Sequence, residues 1–108
     1  MKFELVVTSR ARADVLRNAE WWAENHSTDQ AISWFDAIYE QLETLRDLPE
    51  RFPVAPENDL VDVQIHEMPL GVGKRPSYRA IFTIALSEVH VLAVRRATQD
   101  RLTPADLE

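Results

Sequence analysis

The sequence predicts an α+β fold, with a helical hairpin packed on one face of a small, mainly antiparallel sheet. Three observations predict it. Two amphipathic stretches, 9–25 and 28–48, are separated by only two or three residues, as in an antiparallel helix pair. Two β-rich runs, 77–85 and 89–96, flank a tight turn at Leu86-Ser87-Glu88, as in a hairpin of strands. Between these halves lies a connection containing Pro49, Pro53 and Pro56, stiff and unsuited to either regular element.

The elements follow in order. Phe3, Leu5 and Val7 alternate with Lys2, Glu4 and Val6, a short first strand. Thr8 or Ser9 caps the first helix, whose apolar arc is Ala11, Val15, Leu16, Ala19, Trp22 and Ala23, with Trp21 pointing away. Ser27 and Gln30 have capping-box spacing at the start of the second helix. Its seam is Phe35, Ile38, Leu42 and Leu45, with Trp34 and Tyr39 flanking, and Pro49 stops it after Leu48. Val63–Met68 reads as a strand that Pro69 ends or bulges. Leu70–Pro76 is a loop, and Thr103-Pro104 opens a short capped turn in the tail.

Composition narrows the class. The 108 residues are one domain, 1–108, long enough to bury roughly 65% of the unfolded chain's surface. With no cysteine, disulfides and Cys-based zinc sites are excluded. No apolar run spans a bilayer and the N-terminus is no secretory signal, so a cytoplasmic protein without membrane contact is expected. The net charge of −6 argues against a protein that grips nucleic acid over its whole surface. The charge is segregated: residues 1–63 carry a net of −7, whereas Lys74 to Arg101 carry +4. If an anion is bound, it is expected at the later stretch.

Strict alternation in the strand hairpin places Ala80, Phe82, Ile84, Leu86, Val89, Val91 and Ala93 on the face toward the helices. The other face then carries Arg79, Ile81, Thr83, His90, Leu92, Val94 and Arg96, with Arg79 beside Arg96. Opposed like charges destabilise a sheet. Either a carboxylate such as Glu67 on the preceding strand offsets them, or an external anion does.

The strings LRDLPERFPVAPEN (45–58), GKRPSYRAIFTI (73–84) and VHVLAVRRATQDRLTP (89–104), in a strand–helix–helix–strand–strand–strand order, resemble the RelE/ParE superfamily of toxins from type II toxin–antitoxin systems. The resemblance covers nearly the whole chain. It implies a cytoplasmic, growth-inhibiting toxin of plasmid-stabilisation type, neutralised by a cognate antitoxin that wraps an amphipathic segment over the helices and sheet edge. It implies one of two activities: ParE-like poisoning of DNA gyrase, or RelE-like cleavage of mRNA on the ribosome. A relic that binds antitoxin without toxicity is the third reading.

The resemblance puts Arg79 at the family's sheet arginine, after the tyrosine of the YR pair, and Arg95 and Arg96 near its second basic position. A nuclease would use Arg79 and Arg96 to hold the phosphate, with His66 the base candidate on its strand. The RelE-like lysine pair and C-terminal tyrosine are absent: the corresponding strings read VQIHEMP and RLTPADLE. That tilts the expectation toward gyrase. The expected target or nucleic-acid surface is Lys74, Arg75, Arg79, Arg95 and Arg96. Trp21 and Trp34 stand either as core-edge packing or as antitoxin contacts. The GVGKR loop lacks the spacing of a phosphate loop. The three histidines lack metal-ligand spacing, so no metal or cofactor is expected.

Overall fold

Both helices begin where their caps predict. The computed structural model describes residues 2–73 and 76–97. Strand β1 (Glu4–Val7) runs into helix α1 (Ser9–Asn25), and α2 (Thr28–Glu43) follows. Three short 3-10 turns cover Thr44–Arg46, Pro49–Arg51 and Pro56–Leu60; then come β2 (Ile65–Leu70), β3 (Tyr78–Ala85) and β4 (Glu88–Arg96). Thr8 caps α1 by accepting the Ala11 N–H at 3.2 Å, and its own hydroxyl donates to the Val91 carbonyl at 2.8 Å. One residue thus ends a strand, starts a helix and ties both to β4. Ser27 caps α2 by accepting the Gln30 N–H at 3.1 Å.

The sheet order is β1-β4-β3-β2, with β1 parallel to β4 and the other pairs antiparallel. Both helices lie on one face. The main core there joins Ala11 and Val15 of α1, Trp34, Ile38 and Leu42 of α2, Leu45, and Tyr78, Ala80, Phe82, Val89, Val91 and Val94 of the sheet. On the edge strand β2, Pro69 is tolerated because its missing N–H falls on the outer side, in phase with Glu67, whose N–H donates outward to Pro53.

Several expectations are corrected. Helix α2 ends at Glu43, and a 3-10 turn carries Leu45 into the core. Leu16, Ala23 and the turn residue Leu86, placed with the core by periodicity, are exposed. Trp34, expected at the margin, is 1% exposed. The second expected strand, Val63–Met68, is shifted to Ile65–Leu70 and runs through Pro69. The capped turn at Thr103 lies outside the described residues.

The largest correction concerns the strand hairpin. Its turn is the two-residue Leu86-Ser87, but the register slips between Ile81 and Phe82: Phe82 pairs with Val91, whereas Ile81 pairs with Ala93. Leu92 is the extra residue of a β-bulge. Beyond it the faces exchange. Val94 joins the helix-side core, while Leu92 and Ala93 pack on the far face with Ala55, Ile65 and Ile81. Arg79 is therefore paired with Arg95, not Arg96, and Arg96 turns toward the helices. The far face is not open either. The segment around Ala55 covers it, with the Ala55 N–H donating to Ile65 at 2.9 Å.

Candidate functional site at the seam of α1 and β4

Arg79 sits on the far face, 9% exposed. Its Nη1 donates to Glu57 Oε1 at 2.8 Å and its Nη2 to Glu57 Oε2, while Glu67 Oε1 lies 3.6 Å from Nη1. The hydrogen bonds that Arg79 donates to Glu57 raise its pKa above the ordinary value; burial opposes this, and the charges of Glu57 and Glu67 add to it. Glu67 reaches Arg79 as expected; Glu57, on the prolyl connection, was not anticipated. With two carboxylates on it, this guanidinium is a poor receptor for a further anion.

His66 lies on the helix side of β2. Its ring stacks on Phe82 (centroids 5.4 Å, interplanar 17°), and Nδ1 donates to the Phe52 carbonyl at 2.9 Å. Arg96 lies beside Tyr78, four residues along β3 from Phe82. That is about 14 Å along the strands and roughly 10 Å across them from His66. Arg79 is on the opposite face from both. The three residues that a nuclease would need together are thus held apart. Lys74 and Arg75 lie outside the described residues. His90 contacts Glu88 at 3.0 Å at the turn end of β4.

What the structure does bring together is a row along α1. Arg10, Asp14, Arg17 and Trp21 recur at spacings of four, three and four, so they share one flank of the helix. That flank faces β4 beyond Val91, where β1 no longer pairs with it. Asp14 is buried and organises the seam. Its Oδ2 accepts the Val94 N–H at 2.9 Å, its Oδ1 accepts from Arg17, and Arg95 Nε lies 3.8 Å from Oδ2. A side-chain oxygen thereby takes the place of the missing strand's carbonyl. Arg10, Arg17 and Arg95 ring a cleft of about 580 Å³.

A second cleft, about 260 Å³, adjoins the same flank and is lined by Trp21, Trp22, Ser77, Tyr78 and Arg96. The Arg96 guanidinium lies 4.2 Å from the centre of the Trp21 ring. Trp22 Nε1 donates to Tyr78 Oη at 3.1 Å, and His26 packs on Trp22 at 4.6 Å. Trp34 lies behind, its ring 5.0 Å from that of Tyr78, supporting the wall from within the core. Trp21 and Arg96, assigned separately from sequence to antitoxin and target, meet here. Arg10 and Arg17 were missed. Their signal was the spacing of the 10-14-17-21 row.

A two-helix layer on a mixed four-stranded sheet, with an arginine–aromatic seam at one end, defines a small two-layer α+β domain. The chain belongs to the family described as ParE toxin of type II toxin–antitoxin system, parDE, whose model matches residues 5–101. It is similar in structure to a chain of the chromosomal ParDE toxin–antitoxin system from P. aeruginosa: TM-score 0.72, 20% identity, 88% of this chain and 96% of that one covered. It is also similar to an arginine-to-alanine double mutant of the E. coli toxin RelE in the free state: TM-score 0.51, 16% identity, with 91% and 86% covered. No curated protein matches the chain. As a type II toxin it implies an antitoxin partner. Among the described residues, no helix is long and apolar enough to cross a membrane.

Proposed function

We propose that this toxin arrests growth by binding a protein target, DNA gyrase, through the seam of α1 and β4, and that a cognate antitoxin neutralises it in the cytoplasm, as in plasmid-stabilising systems. The observation that carries this reading is the Arg96–Trp21 stack in a cleft walled by Trp22 and Tyr78. Tryptophan, tyrosine and arginine dominate the energetics of protein interfaces. Arg10, Arg17 and Arg95 alongside add attraction for an acidic partner surface. Cleavage of RNA has less support. A general base must come within hydrogen-bond reach of the proton it removes, near the charge that holds the phosphate, and His66 is remote from Arg96 and on the opposite face from Arg79.

The test is gyrase supercoiling with purified chain, paired with induction in cells. Trp21→Ala and Arg96→Ala should each abolish inhibition and growth arrest, and His66→Gln should leave both intact. Gyrase inhibition that survives both seam variants defeats the seam. Cuts within mRNA codons on induction, lost in His66→Gln, return the reading to an mRNA interferase. A wild-type chain that causes no growth defect is the antitoxin-binding relic.

A further inference from the structure

The cleft between α1 and the unpaired end of β4 concentrates charge that the rest of the chain lacks. Arg10, Arg17 and Arg95 stand there against Asp14 alone, a surplus of two positive charges in a chain whose net charge is −6. Asp14 is already spent, with Oδ2 on the Val94 N–H and Oδ1 on Arg17. Arg10 is exposed, and among the described residues no carboxylate is bonded to it. The surplus is also concave. About 580 Å³ is the size of a small-molecule site, and guanidiniums converging on it from a helix and a strand suit the several oxygens of a phosphate chain.

The adjoining cleft offers a different chemistry one helical turn on. Trp21 follows Arg17 by about 6 Å along the axis of α1. Its ring, the Arg96 guanidinium, Trp22 and Tyr78 present flat surfaces around a space of about 260 Å³. Aromatic faces and guanidinium planes are what nucleobases stack on. From Arg10 to Trp21 is about 16 Å along the helix, a reach comparable with that of an extended nucleoside triphosphate. We propose that the seam binds a nucleoside polyphosphate, its phosphates among Arg10, Arg17 and Arg95 and its base in the adjoining cleft against Trp21 and Arg96. A longer nucleic-acid strand is disfavoured by charge. Between Asn18 and Leu45 the chain has six carboxylates and neither lysine nor arginine, so along the helices the basic track ends after one nucleotide's length. Nucleotide and protein target would share Trp21 and Arg96 and so compete; that consequence alone rests on the target reading given above.

The test is calorimetry of the full chain with ATP, inorganic tripolyphosphate, adenosine and a short oligothymidylate. ATP should bind, tripolyphosphate more weakly and adenosine not measurably, with the affinity of both polyanions falling as salt rises. Arg10→Ala and Arg17→Ala should each weaken ATP and tripolyphosphate by at least roughly tenfold. Trp21→Ala should reduce ATP to the affinity of tripolyphosphate and leave tripolyphosphate itself unchanged. Arg51→Ala, at an exposed arginine beyond the β2 edge, should change neither. Denaturant midpoints establish that each variant is folded. Because the chain is titrated without gyrase, a seam that takes ATP but not gyrase, or gyrase but not ATP, is recognised as such. No binding of ATP, arginine variants that bind it as well as the wild type, equal loss of ATP and tripolyphosphate in Trp21→Ala, or an oligothymidylate that binds more tightly than ATP each overturns the proposal.

Discussion

The guanidinium of Arg79 forks onto both carboxylate oxygens of Glu57, a side chain with no solvent exposure at all. Glu57 belongs to the 3-10 turn Pro56–Leu60, so this pair clamps the prolyl connection onto the far face of the sheet. Removing one partner strands a buried charge, which costs about 3–5 kcal/mol. Glu57→Ala should lower unfolding stability by that order in urea titration, whereas Glu57→Leu with Arg79→Met should recover much of the loss. Equal losses in the single and double variants would contradict the clamp. The Arg79 pKa is raised, so its contribution is fully present below the ordinary arginine value and is lost only as pH rises through the still higher folded value. Between pH 7 and 10 Arg79 should therefore add no slope to stability.

Trp34 and Trp21 should part company on mutation. Trp34→Ala opens a void in the core and should cost about 3–5 kcal/mol. Trp21→Ala removes a partly exposed ring, 37% exposed, and should change stability by less than about 1 kcal/mol while eliminating toxicity. Denaturant midpoints and growth curves of the two variants check this. A severe folding defect in Trp21→Ala would show that the ring is structural.

Asp14→Ala should leave the Val94 N–H without its acceptor and cost about 1–3 kcal/mol. The Val94 amide should then exchange with deuterium faster than its neighbours on β4. Unchanged protection at Val94 would mean that something else closes that edge.

Leu86, 98% exposed, has φ of 55° in the strand turn, a conformation costly to residues with a Cβ. Leu86→Gly should stabilise the chain by about 0.5–1 kcal/mol, since the strain relieved outweighs the added freedom of the unfolded chain. Thermal unfolding reads the result, and a lower Tm would contradict it.

Much of the fold is legible in the sequence because local signals agree with it. Thr8 and Ser27 are capping residues in capping positions, and Ile38, Leu42 and Leu45 keep a helical seam. The site was less legible. Val91 to Val94 is an unbroken apolar run, so either phase of alternation satisfies hydrophobicity and the slip at Leu92 leaves no mark in the pattern. Glu57 looks like one more surface acid in a loop; only the packing of that loop reveals it as the counter-charge of Arg79. Leu16 misled because the apolar arc of α1 is wider than the strip its core contact uses.

The inserted residue at Leu92 makes the display of positive charge a matter of parity. Deleting that single codon would restore a two-residue rhythm to the end of β4, swing Arg95 beneath the helical layer, and carry Arg96 away from Trp21 to stand with Arg79 and Glu57. No side chain would have changed identity, yet the stacked pair at the seam would be dismantled. Length variation in this strand is thus as potent a route to losing or redirecting a binding surface as substitution of the arginines themselves.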